Sequence, residues 1–328
     1  MKAIVVQEDK RHSLSWREVP DPICGPEEVV LRVRATAVNR ADLLQRAGKY
    51  PPPPGAPAWM GLEAAGEIES IGAEVTGWSL GAGAACLVAG GGYAERLVVQ
   101  RDLLMPIPRG LSMEEAASLP EAFATAWLNL MVEGSLAPAE TVLVHAGASG
   151  VGLAAIQVAK LRGAHVMTTV GSAEKAERVR AFGADQVIVH SRENVTDRMA
   201  ALARERVPGG IDLVLDCLGG EEIEHHLPML NPGGRWIVIA LMKGRFTALD
   251  LAPLLARRLR LIGSTLRSRP VVEKGAILRA LEREVWPAIE SGRVRTFVHA
   301  VLPIEEAERA HAILEAKENL GKVVLRVD

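Results

Sequence analysis

The pattern of apolar and polar positions changes character near residue 125. Before it, the apolar runs are short, at 3–6, 29–35, 66–72 and 96–99, and several alternate with polar positions at a period of two. Such alternation suits antiparallel strands with one wet face, so residues 1 to about 115 predict a β-rich, barrel-like domain. Pro51-Pro52-Pro53-Pro54-Gly55 interrupts this half. It cannot join the centre of a sheet and serves either as a rigid connector or as a pocket wall. Beyond residue 125, β-branched runs at 141–146, 164–170, 186–190, 211–216, 234–240 and 259–264 are separated by Ala-, Leu-, Glu- and Arg-rich stretches such as 173–182 and 195–206. Strands alternating with helices predict an α/β fold with a parallel sheet wound on both faces. Gly163 and Gly183 fall where such helices should end. After residue 266 the alternation stops, and a helix (272–291), a strand (296–302), a helix (304–317) and a strand (322–327) follow. Such a tail either returns to the first half or continues the second.

The most informative break lies in Thr141-Val142-Leu143-Val144-His145-Ala146-Gly147-Ala148-Ser149-Gly150-Val151-Gly152. An apolar run meets a small-residue loop and then an Ala-rich, helix-forming stretch. Strand, glycine turn and helix in that order let backbone N–H groups approach a diphosphate, with the positive end of the helix dipole facing the same anion. Ser149 stands where the middle glycine of Gly-x-Gly-x-x-Gly would be. The motif therefore reads either as a dinucleotide loop or as a tight turn that binds nothing.

Composition excludes several classes. The chain has 328 residues, 48% hydrophobic and 24% charged, with a net charge of -2. That describes an ordinary globular chain of two domains, without the basic stripe expected for nucleic acid or an anionic membrane surface. Arg257, Arg258 and Arg260 form a tight basic cluster that reads as a solvated helix end. Cys24, Cys86 and Cys217 lie far apart, with no Cys-x-x-Cys spacing for zinc or redox work. No apolar run is long enough to span a bilayer, and Glu8 and Asp9 interrupt the region a signal peptide would need apolar. A cytoplasmic protein is expected.

A dinucleotide fold that selects NAD places an acidic residue ~20 positions past the glycines, on the ribose 2′-hydroxyl. Here the tip of the second strand reads Thr168-Thr169-Val170-Gly171-Ser172-Ala173-Glu174-Lys175, with no carboxylate at the tip itself. Gly171 leaves room, Ser172 offers a hydroxyl and a helix cap, and Lys175 supplies positive charge. The set suits a 2′-phosphate, hence NADPH, although an ordinary cap beside a surface lysine has the same sequence. Asp216-Cys217-Leu218-Gly219-Gly220 and Ala240-Leu241-Met242 end the fourth and fifth strands at the crevice where such folds bind their ligand. Leu218, Leu241 and Met242 are expected beside the nicotinamide ribose, while Asp216 either joins them or caps the next helix.

With Asn39-Arg40-Ala41-Asp42 and Gly61-Leu62-Glu63-Ala64-Ala65-Gly66, these segments resemble the medium-chain dehydrogenase/reductase superfamily. The run 39–46, Gly48-Lys49-Tyr50 ahead of the prolines, Leu266-Arg267-Ser268-Arg269 and Asn319-Leu320-Gly321-Lys322-Val323-Val324-Leu325 are similar to the zinc-independent NADPH:quinone oxidoreductases, specifically their tumour-suppressor-inducible branch. The resemblance spans the chain. It implies a GroES-like catalytic domain built from both termini (1–124 with 266–328), a central Rossmann domain (125–265), an active site in the cleft between them, and a homodimer paired through the last Rossmann strand. The cofactor residues it implies are Thr125, Gly147, Ser149, Gly150, Val151, Gly152, Leu266, Arg267, Ser268 and Lys322, with Gly171, Ser172 and Lys175 at the phosphate. His190 falls where relatives often carry a tyrosine near the adenosine phosphate, a contact that would become pH-sensitive.

Zinc-dependent relatives hold their metal with a cysteine and with the histidine of a Gly-His-Glu motif; this chain has Asn39 and Leu62 there, which are no zinc ligands. No metal is expected, so the acceptor must already be electrophilic: a quinone or an α,β-unsaturated carbonyl. The resemblance puts Tyr50 and Ser149 nearest that acceptor, with Asn39 and Asp42 either orienting the nicotinamide ribose and pocket wall or bonding within the core. A phenol of ordinary pKa about 10 can donate a proton to a nascent enolate; Tyr50 can equally just pack on the prolines. Two alternatives stand beside quinone reduction. One is an enoyl-CoA reductase whose Arg257, Arg258, Arg267 and Arg269 meet CoA phosphates; the other is an NADPH-binding, crystallin-like protein without turnover.

Overall fold

β-branched runs after residue 140 become strands that lie side by side in a computed structural model describing residues 1–198, 201 and 210–328. The chain divides into two compact units, 125–265 and the remainder, 1–124 with 266–328. Among the described residues the first of these carries a six-stranded sheet, in spatial order Gln186–Val189, His165–Val170, Thr141–Val144, Ile211–Asp216, Leu230–Val238 and Arg260–Gly263. Every pairing is parallel. Numbered along the chain the order is 3-2-1-4-5-6, a Rossmann sheet whose direction of winding reverses between Thr141–Val144 and Ile211–Asp216. Thr141–Val144 is buried throughout, as a central parallel strand covered on both faces must be. Leu143, Met167, Ile188, Val214 and Trp236 form the heart of the packing.

The expected boundaries move for physical reasons. The strand anticipated at 141–146 ends at Val144 because Ala146 turns into the left-handed region, φ 54°. The strand anticipated from 234 begins at Leu230 and carries Pro232 and Gly233 across a register shift against Ile211–Asp216. Gly163 (φ 81°) and Gly183 (φ 105°) follow their helices in the left-handed conformation that favours glycine there. Of the helix expected at 195–206, residues 195–198 and 201 are helical, and the rest lies outside the described residues.

In the other unit, described residues build a seven-stranded sheet around Glu28–Ala37, which pairs antiparallel with Glu63–Ile71, Arg96–Gln100 and Lys322–Arg326. Gly83–Leu87 and Leu104–Pro106 extend it on one side, and Val298–Pro303 joins Lys322–Arg326 in parallel on the other. Leu14–Glu18, Gly83–Leu87 and Leu104–Pro106 are strands the periodicity does not reveal. The single helix expected at 272–291 is two, Val271–Glu284 and Trp286–Glu290, because Pro287 begins a new helix after the break at Val285. Alanines 35, 37, 65, 85, 116 and 117 let helix Met113–Ala117 pack closely on this sheet. No helix among the described residues is long and apolar enough to cross a membrane.

Candidate active site

The glycine turn is shaped by close packing. A Cβ on Gly147 would lie 1.9 Å from Thr168 Oγ1, which is held by donating to the Val144 carbonyl at 2.7 Å. A Cβ on Gly152 would lie 2.4 Å from the Ala146 carbonyl oxygen. The left-handed Ala146 costs about 1–2 kcal/mol; Thr169 offsets this, its Oγ1 accepting from the Ala146 N–H (3.2 Å) and its carbonyl from the Gly147 N–H (2.9 Å). Ser149 caps helix Gly150–Leu161, its Oγ accepting from the Gly152 N–H at 3.0 Å. The serine proton is left to donate, and the N–H groups of Gly150 and Val151, in the first turn, have no intrahelical acceptor. Two free N–H groups, one hydroxyl and the helix dipole make a donor set that fits a diphosphate.

At the tip of the second strand, Ser172 caps helix Ala173–Arg180 and accepts from the Lys175 N–H at 3.2 Å. Gly171 is exposed, and a Cβ there would approach His190 Nε2 to 3.7 Å, so these two residues share the tip. Burial pulls the Lys175 ammonium below its ordinary range, with Glu174 opposing that shift. Thr125 sits in helix Pro120–Trp127, where its carbonyl accepts from the Asn129 amide at 2.7 Å.

The crevice is edged by two loops that run together. The Met242 N–H donates to the Cys217 carbonyl (3.2 Å), the Lys243 N–H to the Leu218 carbonyl (2.8 Å), and Gly219 bridges to Gly244. Leu241 and Met242 are exposed, and Leu218 is half-buried. Asp216 is fully buried. It accepts from the N–H groups of Leu218 (2.6 Å) and Gly219 (3.1 Å) and from the Trp236 indole (3.0 Å), so it caps the loop.

In the unit built from both ends of the chain, Asn39, Asp42 and Lys322 come together in a buried polar network with three residues that sequence reasoning misses: Glu63, Tyr93 and His311. Lys322 Nζ donates to Asn39 Oδ1 and Glu63 Oε1, both at 2.6 Å. The Asn39 amide NH2 donates to Glu63 Oε1 (2.9 Å) and the Ala37 carbonyl (3.1 Å), leaving the amide able only to accept. The other Glu63 oxygen accepts from the Glu121 N–H at 2.8 Å. Asp42 closes the cap of helix Arg40–Arg46, accepting from the Asn39 N–H (2.7 Å), the Gly61 N–H (3.2 Å) and the Tyr93 hydroxyl (3.2 Å). Burial pushes Asp42 up to about 6 despite those donors. The only sequence signal for Glu63 is its place beside Leu62 in the altered metal motif; Tyr93 and His311, 218 positions apart and 3.3 Å from each other, leave none.

Arg267 lies over the Tyr50 ring, 5.2 Å from its centroid. Its guanidinium donates to the carbonyls of Ala89 (2.7 Å) and Tyr50 (3.3 Å) and to Gln45 Oε1 (2.6 Å). The arginine is thus occupied in holding residues 45–50. The half-buried Tyr50 hydroxyl has no hydrogen bond among the described residues, and burial raises its pKa, with Arg267 opposing. Leu266 is buried and Ser268 exposed.

Two family models match, the alcohol dehydrogenase GroES-like domain over residues 25–109 and the zinc-binding dehydrogenase over 150–282. The chain is 34% identical to the quinone oxidoreductase of Pseudomonas aeruginosa, over 95% of each chain. It belongs to the quinone oxidoreductase family of the medium-chain dehydrogenases/reductases. Among solved structures it resembles the quinone oxidoreductase of Thermus thermophilus, described also in complex with NADPH, with 34% identity, full coverage of both chains and a TM-score of 0.82. It also resembles the CurK enoyl reductase, at 25% identity, 100% and 99% coverage and a TM-score of 0.85. The zinc for which the second family is named does not fit these residues. Asn39 presents an amide oxygen already bound by Lys322, Leu62 is buried and apolar, and both Glu63 oxygens carry hydrogen bonds.

Proposed function

We propose that this chain is an NADPH-dependent reductase of conjugated acceptors, with quinones as the substrate class. The observation that carries the reading is the open donor set at Ser149, Gly150 and Val151, beside a second-strand tip with Lys175 and without a carboxylate. Bound NADPH supplies a hydride from C4 of its nicotinamide. Gly150 and Val151 hold the diphosphate through N–H groups, and Gly171, Ser172 and Lys175, with His190, recognise the 2′-phosphate. Leu218, Leu241, Met242 and Thr125 line the nicotinamide end. In the GroES-like unit, Tyr50 is the acceptor-side donor: its phenol is unbonded, and the arginine over its ring holds it in place. Asn39, its amide engaged by Lys322, Glu63 and Ala37, holds the pocket wall of this unit in place. Asp42 and Lys322 act through Asn39, and Arg267 through Tyr50. A phenol or serine hydroxyl needs only to stabilise the oxygen that gains charge, which suits acceptors that are reducible without a metal.

Thioester reduction is the second reading, supported by the likeness to CurK enoyl reductase. Arg267 is occupied, Arg257 donates to the carbonyls of Pro228 and Leu230, and Arg269 pairs with Glu273, so three of the four arginines offered to CoA phosphates have protein partners. Steady-state NADPH oxidation with 1,2-naphthoquinone, crotonyl-CoA and dimethylacrylyl-CoA separates the two: kcat/KM is expected to be highest for the quinone. A thioester value well above it overturns the substrate assignment. A reducing cytoplasm suits the three free cysteines. Homodimerisation fits the Arg260–Gly263 edge strand, unpaired on one side among the described residues, where Leu261 is exposed and follows a helix exposing Leu251 and Leu255.

A further inference from the structure

Two consecutive glycines, Gly219 (φ 65°) and Gly220 (φ 63°), follow strand Ile211–Asp216 in the left-handed region. Glycine enters that region without strain but has no preference for it, so the loop needs an external hold. The hold is one side chain. Asp216 Oδ1 accepts from the Leu218 and Gly219 N–H groups (2.6 and 3.2 Å), and Oδ2 accepts from the Gly219 N–H and the Trp236 indole (3.1 and 3.0 Å). The second loop hangs on the first: its Met242 and Lys243 N–H groups donate to Cys217 and Leu218, and Gly244 bridges to Gly219. Packing at the join is tight, since a Cβ on Gly219 would lie 2.7 Å from the Gly244 carbonyl oxygen and from Leu241 Cδ2. A tie on the outer side, between Lys243 and Glu222, anchors the second loop to the helix after the first.

We propose that Asp216 is a positioning residue for the nicotinamide end of the cofactor, and that Trp236 orients it. The proposal rests on the cofactor reading above. Asp216 is buried and touches neither cofactor nor acceptor; it fixes the glycine loop, and through it the loop that carries Leu241 and Met242. A carboxylate is suited to this because it offers acceptors only, matching donors from two directions with no donor of its own to misplace. Asparagine has the same shape but must turn an NH2 toward either the loop N–H groups or the indole N–H.

The test is Asp216→Asn, read by two ligands. Steady-state kcat/KM for NADPH with a quinone is expected to fall about tenfold, since small misplacements of a reacting group are costly. Affinity for 2′,5′-ADP, which reaches only the adenosine half, is expected to stay within about twofold. A loss shared equally by both ligands, or no loss for NADPH, overturns the proposal. Should Asp216→Asn not fold, Trp236→Phe removes one of the four bonds and carries the same split at smaller size. Wild-type protein that neither oxidises NADPH nor binds 2′,5′-ADP defeats the cofactor reading instead, so the two failures are distinct.

Discussion

The glycine turn of the Rossmann unit and the polar core of the GroES-like unit treat their hydrogen-bonding groups in opposite ways. At the turn, the Gly150 and Val151 N–H groups and the Ser149 proton are unspent. In the core, the Asn39 amide, both Glu63 oxygens and the Asp42 carboxylate are bound to neighbours within the unit, and Lys322 is bound to two of them. Both regions are marked in the sequence as candidate ligand contacts. What separates them is remaining capacity: an open set of donors can receive a ligand, while a closed network holds other groups in place. The same contrast recurs at Tyr50 and Arg267, a phenol left free and a guanidinium whose three nitrogens each donate to a protein acceptor.

The contrast can be broken first in the core. Glu63→Ala leaves the buried Lys322 ammonium without its carboxylate, and urea unfolding should show a loss of about 3–5 kcal/mol; a loss under about 1 kcal/mol would mean that the network is not closed. Next in size is Tyr50→Phe, expected to lower kcat on the order of 10²-fold, with KM for NADPH unchanged, if the phenol is the proton donor. An unchanged kcat would return Tyr50 to a packing role beside the prolines.

A pH effect of about 2 kcal/mol follows from His311. Burial pushes its imidazole down to about 3, and those of His145 and His226 to about 4. Each is neutral when folded and titrates near 6.5 when unfolded, so the unfolded chain binds more protons between these values. Stability is therefore full above about 6.5 and falls as the pH drops toward 4. Asp42, raised to about 6, acts in the opposite sense: its contribution is present below about 4 and is lost as the pH rises through 6. Burial raises Asp216 and Glu282 in the same sense as Asp42, so the imidazole contribution is read by substituting a single histidine. His311→Gln should lose about 2 kcal/mol less than wild type between pH 7 and pH 5 in urea unfolding, and equal losses would show that His311 is protonated in the folded state. The smallest effect sharpens the open region. Lys175→Ala should raise KM for NADPH about tenfold and leave KM for NADH within about twofold, and parallel changes would remove the lysine from the phosphate site.

Periodic stretches make the Rossmann unit legible. Thr141–Val144 and Ile211–Asp216 announce themselves by β-branched runs between glycines, and Ser149 by its place at a strand-to-helix turn. Gly83–Leu87 and Leu104–Pro106 escape because small or short strands have no alternation to read. In the site, Lys322 and Asn39 stand out in sequence, but that they bind each other at 2.6 Å depends on a pairing 283 positions apart. Asp216 is ambiguous in sequence, and what decides its role is Trp236, twenty positions on and within 3.0 Å.

On the proposed function, the open donors of the Rossmann turn receive NADPH for delivery of hydride to a conjugated acceptor. This is tested most directly by stopped-flow mixing of the protein with 4-deuterated NADPH and 1,2-naphthoquinone, with NADH run in parallel. Rapid oxidation with NADPH, slowed by deuterium on the transferred face, and far slower turnover with NADH are the expected results. Equal rates with the two cofactors, or tight NADPH binding with no oxidation by quinone, enone or enoyl-thioester, would contradict it.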